Sequence, residues 1–200
     1  MKKITGEEFE RKIIKDPAWC KTIKEPLEVT TSINLSCSKI SHLSPLLTFS
    51  GKDHVGWVAC FAGCKDLKIA TGTYKGYVSF EESGIEKIEN LTVIETRTSP
   101  WGATGFAKCK NLKGATGNFE GFVDFESSGV ETIKDLNIET SNRGGEKARF
   151  LNCPIKYVPK EYRGEEFILE PRVIESSILK DKITKEAINK IKSETNNIEL

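Results

Sequence analysis

Histidine is almost missing from this chain. His42 and His54 are the only two among 200 residues. A structural zinc site takes about four ligands, and a nucleophile–histidine pair needs its base close by. Neither histidine has such a signature beside it. His42 lies between Ile40 and Leu43 and is expected to face solvent, and His54 lies in a loop, GKDHVG. An excess of one charge is missing too, since 30 Lys and Arg stand against 29 Asp and Glu. Bulk charge therefore provides no basic face for a phosphate backbone, and no nucleic-acid partner is expected. No stretch approaches the ~18 apolar residues of a membrane helix, so no membrane span is expected. The first residues, MKKITGEEFERKI, carry lysines but no apolar stretch behind them, unlike a secretory signal. A soluble cytoplasmic chain is expected, or one exported by a signal-independent route.

What the chain does have is a long internal repeat. Residues 61–94, FAGCKDLKIATGTYKGYVSFEESGIEKIENLTVI, recur at 106–139 as FAKCKNLKGATGNFEGFVDFESSGVETIKDLNIE, with 18 of 34 positions identical. A period of 45 residues is the mark of a stacked repeat architecture. A half-unit recurs at 33–49, 78–94 and 123–139, and a second, F-x-x-C-x-x-L, starts at Phe61, Phe106 and, degraded, Phe150. Leu46, Leu67, Leu91, Leu112 and Leu136 start successive coils at steps of 21 and 24 residues, a leucine-rich-repeat period. Hydrophobic content of 38% against 30% charged fits a thin stack with much surface. No single coil can bury Leu67, Ile69, Val78, Phe80, Ile85 and Ile88 alone; stacking with parallel strand pairing does so. Gly72, Gly76, Gly84, Gly117, Gly121 and Gly129 are expected at corners with positive φ. Because ATGTYKG and ATGNFEG recur with the repeat, they are corner segments and not a phosphate-binding loop.

At these residues the chain resembles a known family. LSCSKISHLSPL is similar to the L-x-x-x-x-I-x-x-L-x-P-L run of bacterial leucine-rich repeats. FAGCKDLK and FAKCKNLK resemble the F-x-G-C-x-x-L-K signature of BspA-like (Treponema-type) leucine-rich repeats. The resemblance covers about residues 28–158 and departs from the family at two places. Ser38, Ser83 and Ser128 stand where the family has a ladder asparagine, and ATG at 70–72 and 115–117 replaces the short strand ending. It implies an irregular leucine-rich-repeat-like solenoid, mainly β with short helical turns, that binds proteins.

The expected organisation is an N-terminal helical cap over 1–27, the solenoid over 28–158, and a C-terminal cap with an amphipathic tail helix over 159–200. The N-terminal helix spans 5–15, with Thr5 as N-cap, Glu8 completing a capping box, Phe9, Ile13 and Ile14 on one face, and Pro17 ending it. The tail helix spans 182–193, with Ile183, Ala187, Ile188 and Ile191 on one face.

Two surfaces are candidates for partner binding. Trp57 and Trp101 lie in the two longer connections, and with Arg97, Arg143 and Arg149 they are expected to share one flank; tryptophan favours binding hot spots. The strands present the other surface, where Thr71, Thr116, Lys68, Lys113, Thr92, Asn137, Glu95, Glu139, Thr96 and Thr140 recur. Cys64, Cys109 and Cys153 occupy one repeat position about 10 Å apart in a stack, too far for a disulfide, and read as buried thiols. Cys20 and Cys37 read as structural, and Cys60 with Cys64 forms a lone C-x-x-x-C. The expected function is non-catalytic binding of another protein, as an effector or inhibitor, with no cofactor and no metal. The alternatives are a metal-dependent or cysteine-based enzyme and a structural surface spacer.

Overall fold

Six four-residue corners set the path of the chain, at 35–38, 61–64, 80–83, 106–109, 125–128 and 150–153. In each, the N–H of the fourth residue donates to the carbonyl of the first, at 3.0–3.3 Å. In each, the third residue is left-handed: Cys37, Gly63, Glu82, Lys108, Ser127 and Asn152 have φ between 55° and 72°. A positive φ at the third place of a hydrogen-bonded turn is the type II geometry. The first residue is always large and buried, and the fourth alternates between serine and cysteine.

The computed structural model describes residues 1–94, 104–139 and 145–196. In chain order the elements are β1 (Lys2–Ile4), α1 (Gly6–Lys15), β2 (Leu27–Val29), β3 (Ile33–Asn34), β4 (Leu47–Phe49), β5 (Trp57–Cys60), β6 (Ile69–Tyr74) and β7 (Tyr77–Ser79). They continue with β8 (Lys87–Val93), β9 (Thr104–Gly105), β10 (Gly114–Glu120), β11 (Val123–Asp124), β12 (Thr132–Glu139), β13 (Ala148–Arg149), β14 (Phe167–Ile168) and α2 (Pro171–Asn196). The strands form two sheets of seven, ordered β1-β2-β4-β6-β8-β10-β12 and β3-β5-β7-β9-β11-β13-β14. Each pairing among the described residues is parallel, and neither sheet closes on itself. From β3 to β13 the chain alternates between the sheets, and every corner follows directly on a strand of the second sheet.

Between the sheets lies one apolar cluster fed by both. Its spine is a stack of near-parallel rings, one from each corner that starts with phenylalanine. Centroids are 5.4 Å apart for Phe61–Phe80, 5.2 Å for Phe80–Phe106, 5.4 Å for Phe106–Phe125 and 5.0 Å for Phe125–Phe150. Such spacing is within the favourable range for aromatic pairs, which adds about 0.5–1.5 kcal/mol each beyond area burial. Phe49 and Phe9 extend the stack edge-on toward the N-terminal helix.

α1 forms as its cap predicts, with Thr5 Oγ1 accepting the Glu8 N–H at 3.1 Å. Phe9 and Ile13 are buried, but Ile14 is 77% exposed, contrary to the expected face. At about 100° per residue, five residues from Phe9 carry Ile14 some 140° round the helix. The glycine expectation also needs correction at two places. Gly84 and Gly129 are not left-handed; a Cβ there would stand 1.9 and 2.0 Å from the carbonyl oxygens of Lys65 and Lys110, so close backbone approach requires them. The tail helix begins at Pro171, well before the expected residue 182, because proline at the first helical position starts a helix readily.

Candidate functional site

The strands of the first sheet pair unevenly, and the unevenness follows the repeat. Within a unit, β6 pairs with β8 from Ile69↔Lys87 to Tyr74↔Val93, and β10 pairs with β12 from Gly114↔Thr132 to Glu120↔Glu139. Between units only the C-terminal ends pair: Thr48↔Thr73 and Phe49↔Tyr74 join β4 to β6, and Thr92↔Asn118 and Val93↔Phe119 join β8 to β10. The cause is a bulge carried by ATG opposite E-N-L or K-D-L. The single residue Thr71 or Thr116 faces two residues, of which Asn90 and Asp135 are left-handed, with φ of 49° and 53°. Asn and Asp tolerate that region better than other side chains. Gly72 and Gly117, at φ of 103° and 119°, complete the bulge. The ATG segments are thus mid-strand and not corners.

Where pairing stops, the strands splay and leave two clefts. One, of about 550 Å³, lies between 86–89 and 111–116 and is lined by Lys87, Ile88, Glu89, Lys113, Gly114 and Thr116, among others. The other, of about 200 Å³, lies between 41–45 and 66–71 and is lined by His42, Leu43, Pro45, Lys68, Ile69 and Thr71, with Glu89 and Asn90 at its side. His42, Leu43, Lys68, Ile69 and Thr71 match Lys87, Ile88, Lys113, Gly114 and Thr116 one repeat on. The clefts are therefore repeat copies, and Glu89 lines both. On their rims Lys68 pairs with Glu86 at 3.1 Å and Lys113 with Glu131 at 3.0 Å, again one repeat apart. Hydrogen bonds from Lys156 and then Lys113 hold the Glu131 carboxyl below its usual range. His42 is half-buried with Nδ1 3.0 Å from Ser41 Oγ, not free in solvent as expected. Burial, then Lys21, lowers its pKa, so it is neutral at physiological pH.

Thr71 and Thr116 thus fall together in the copied clefts, with the Thr116 hydroxyl donating to the Asp135 carbonyl at 3.3 Å. Thr92, Asn137 and Glu139 line a separate depression of about 300 Å³ at the other end of the same strands. The tryptophan flank assembles differently. Trp57 belongs to β5 and not to a loop; it is half-buried with its ring 4.4 Å from that of Tyr77. Arg149 lies in β13, its guanidinium 3.5 Å from Asp124 and 3.4 Å from Glu126 and set over the Phe122 ring. Both belong to the second sheet, with three strands between them, about 19 Å at ordinary strand spacing. Glu95, Thr96, Arg97, Trp101, Thr140 and Arg143 lie outside the described residues. Sequence reasoning missed Ile88, Glu89, Asn111 and His42 as lining residues. The signal for them was the repeat-locked opposition of ATG to E-N-L and K-D-L.

The cysteines are placed in a column, not in a site. Cys64, Cys109 and Cys153 donate to the carbonyls of Leu35, Phe80 and Phe125 at 3.0, 2.9 and 3.0 Å. Burial raises the pKa of each. Cys153 is half-buried and Cys37 is exposed. Among the described residues, no group of three or more His, Cys, Asp or Glu is placed to hold a metal ion. No helix among them is long and apolar enough to cross a membrane. No protein-family model, curated protein or solved structure matches the chain.

Proposed function

We propose that this chain is a non-catalytic repeat module, a leucine-rich-repeat-like solenoid whose first sheet binds an extended segment of another protein. The observation that carries the reading is the duplication of one cleft at successive repeats, with the same Lys and Thr positions and the same Lys–Glu rim pair. Equivalent clefts two strands apart recur at about 10 Å, close to one three-residue turn of an extended polyproline II peptide at ~3.1 Å per residue, whose side chains three apart share a face. The larger cleft sets Glu86 and Glu89 against Lys87 and Lys113, the smaller sets Asp66 and Glu89 against Lys68, and Ile88 in the one and Leu43 and Ile69 in the other supply apolar surface, which favours apolar side chains at every third position. In the same reading, residues 1–27 cover one end of the stack and 159–170 cover the other, where Tyr162 hydrogen-bonds the backbone of Leu136. Raised thiol pKa values speak for the binding reading over cysteine-based catalysis, since the thiolate is the nucleophile.

Gly114→Trp tests it. A Cβ at Gly114 meets only Thr132 Oγ1, at 3.6 Å, so a side chain can start from this lining position of the larger cleft. Affinity capture from the native host is expected to lose its dominant partner with Gly114→Trp and to keep it with Trp57→Ala. The reverse pattern moves binding to the second sheet and overturns the assignment.

A further inference from the structure

Among the described side chains, helix α2 is held to the body by its first half. Ser177 is fully buried; its hydroxyl donates to the Val173 carbonyl at 2.7 Å and accepts the Val158 N–H at 2.9 Å. One turn later Asp181 accepts from Arg163 at 2.8 Å and from the Tyr157 hydroxyl at 2.7 Å. Beyond that point, residues 182–189 are all exposed. Two exposed turns carrying Ile183 and Ile188, 57% and 48% exposed, have little to stabilise them in water, where short isolated helices are marginal.

Beside this stretch runs a groove of about 700 Å³, walled by α2 on one side and by 157–160 on the other. Tyr157, Ile183 and Ile188 give it apolar walls, and Lys160, Lys180 and Lys185 stand around them. Among the described residues its one carboxylate, Asp181, is already engaged; hydrogen bonds from Tyr157 and then Arg163 hold it below its usual range, so it stays ionised. Lys160 and Lys185 make no ion pair among the described residues. Among the described residues the groove is therefore apolar in its walls and positive in net charge, unlike the first-sheet clefts, where carboxylates equal or outnumber lysines.

We propose that this groove binds an acidic peptide segment of a partner protein, one that places apolar side chains between Tyr157 and Ile183 and carboxylates against Lys160, Lys180 and Lys185. Charge complementarity selects that occupant. A second copy of α2 would bring Lys182 and Lys185 against a like-charged wall, which opposes association. A bilayer would meet the exposed side of α2 without entering a concave space that has apolar groups on both walls.

A fluorescein-labelled amphipathic peptide of leucine and glutamate, its lysine counterpart, and phosphatidylcholine–phosphatidylserine vesicles are the probes, used with the full chain. The acidic peptide is expected to raise fluorescence anisotropy with salt-sensitive affinity. Lys160→Glu with Lys185→Glu, and separately Ile183→Gln with Ile188→Gln, are expected to weaken it by at least about tenfold, while circular dichroism stays unchanged. Equal binding of the lysine peptide, undiminished binding by both variants, vesicle binding in place of peptide binding, or a dimer dissolved by Ile183→Gln with Ile188→Gln each overturns the proposal.

Discussion

The hydroxyl of Ser83 lies 3.5 Å from the thiol of Cys109, and the same contact joins Ser38 to Cys64 and Ser128 to Cys153 at 3.5 and 3.4 Å. Serine and cysteine hold the same place in successive corners, so they form one alternating polar column beside the phenylalanine stack. Each thiol gives a second hydrogen bond to a corner carbonyl that already accepts the turn N–H, a contribution of roughly 0.5–1.5 kcal/mol. Because serine already fills alternate places, Cys109→Ser is expected to cost less than about 1 kcal/mol, close to a net hydrogen-bond difference. Cys109→Leu is expected to cost about 1–3 kcal/mol through overpacking. Urea midpoints at unchanged slope check the pair; a costly serine and a tolerated leucine would show the column to be mere apolar packing.

Five of the six corners place a non-glycine residue in left-handed geometry, and one uses Gly63. Ser127→Gly is expected to stabilise by about 0.5–1 kcal/mol, by removing the strain of a side chain at positive φ. Gly63→Ala is expected to destabilise by more than about 1 kcal/mol, since φ is 72° and a Cβ would stand 2.8 Å from Cys37 Sγ. Thermal unfolding of both variants reads the opposite signs.

The six thiols differ in access. Cys37 is exposed and is expected to react first with a disulfide reagent at pH 8. Cys20 is buried, and burial, then Asp16, pushes its pKa up to about 12, so it is expected to react only when the chain unfolds. Counting modified thiols with and without urea checks this; rapid loss of Cys20 in the native chain would contradict it.

Glu28, Glu82, Glu131 and Asp181 all hold pKa values below their ordinary ones through hydrogen bonds, with lysine or serine for the glutamates and Tyr157 with Arg163 for Asp181. A carboxylate depressed in the folded state binds protons more readily when unfolded. Its stabilisation is therefore present above the unfolded value and is lost as pH falls through the folded one. Melting temperature is expected to be level from neutral pH to about 5 and to fall below about 4. Glu131→Gln, which removes contacts with Lys113 and Lys156, is expected to flatten part of that fall.

Much of the fold is legible in the sequence because the repeat is long and its buried residues recur. Phe61 and Phe106, Cys64 and Cys109, and Leu67 and Leu112 mark the period, and parallel stacking follows from coils that cannot bury their own apolar side chains. The capping box of α1 is legible because it is local. The clefts are not, because they depend on the register of strands whose paired residues are 18–26 positions apart and on one extra residue at Asn90 and Asp135. The place of Trp57 in β5 is not legible for a similar reason: nothing local in GKDHVGWVACF shows that β7 supplies Tyr77 as a surface to pack on. The full length of α2 is not legible because 171–181 carries no clear helical stripe, and Pro171 becomes a start signal only once it is known to occupy the first turn.

The claim that the first sheet of a repeat module binds another protein is tested most directly by site-specific photo-cross-linking. The cross-linking side chain is placed at Lys68 and at Lys113, the same position in the two clefts, and for comparison at Glu126, in the corner that follows β11 of the second sheet. The account predicts that Lys68 and Lys113 each give an adduct with one and the same protein, at nearby positions of a single extended segment, and that Glu126 gives none. Adducts from Glu126 alone, or adducts from Lys68 and Lys113 with unrelated proteins, would contradict it.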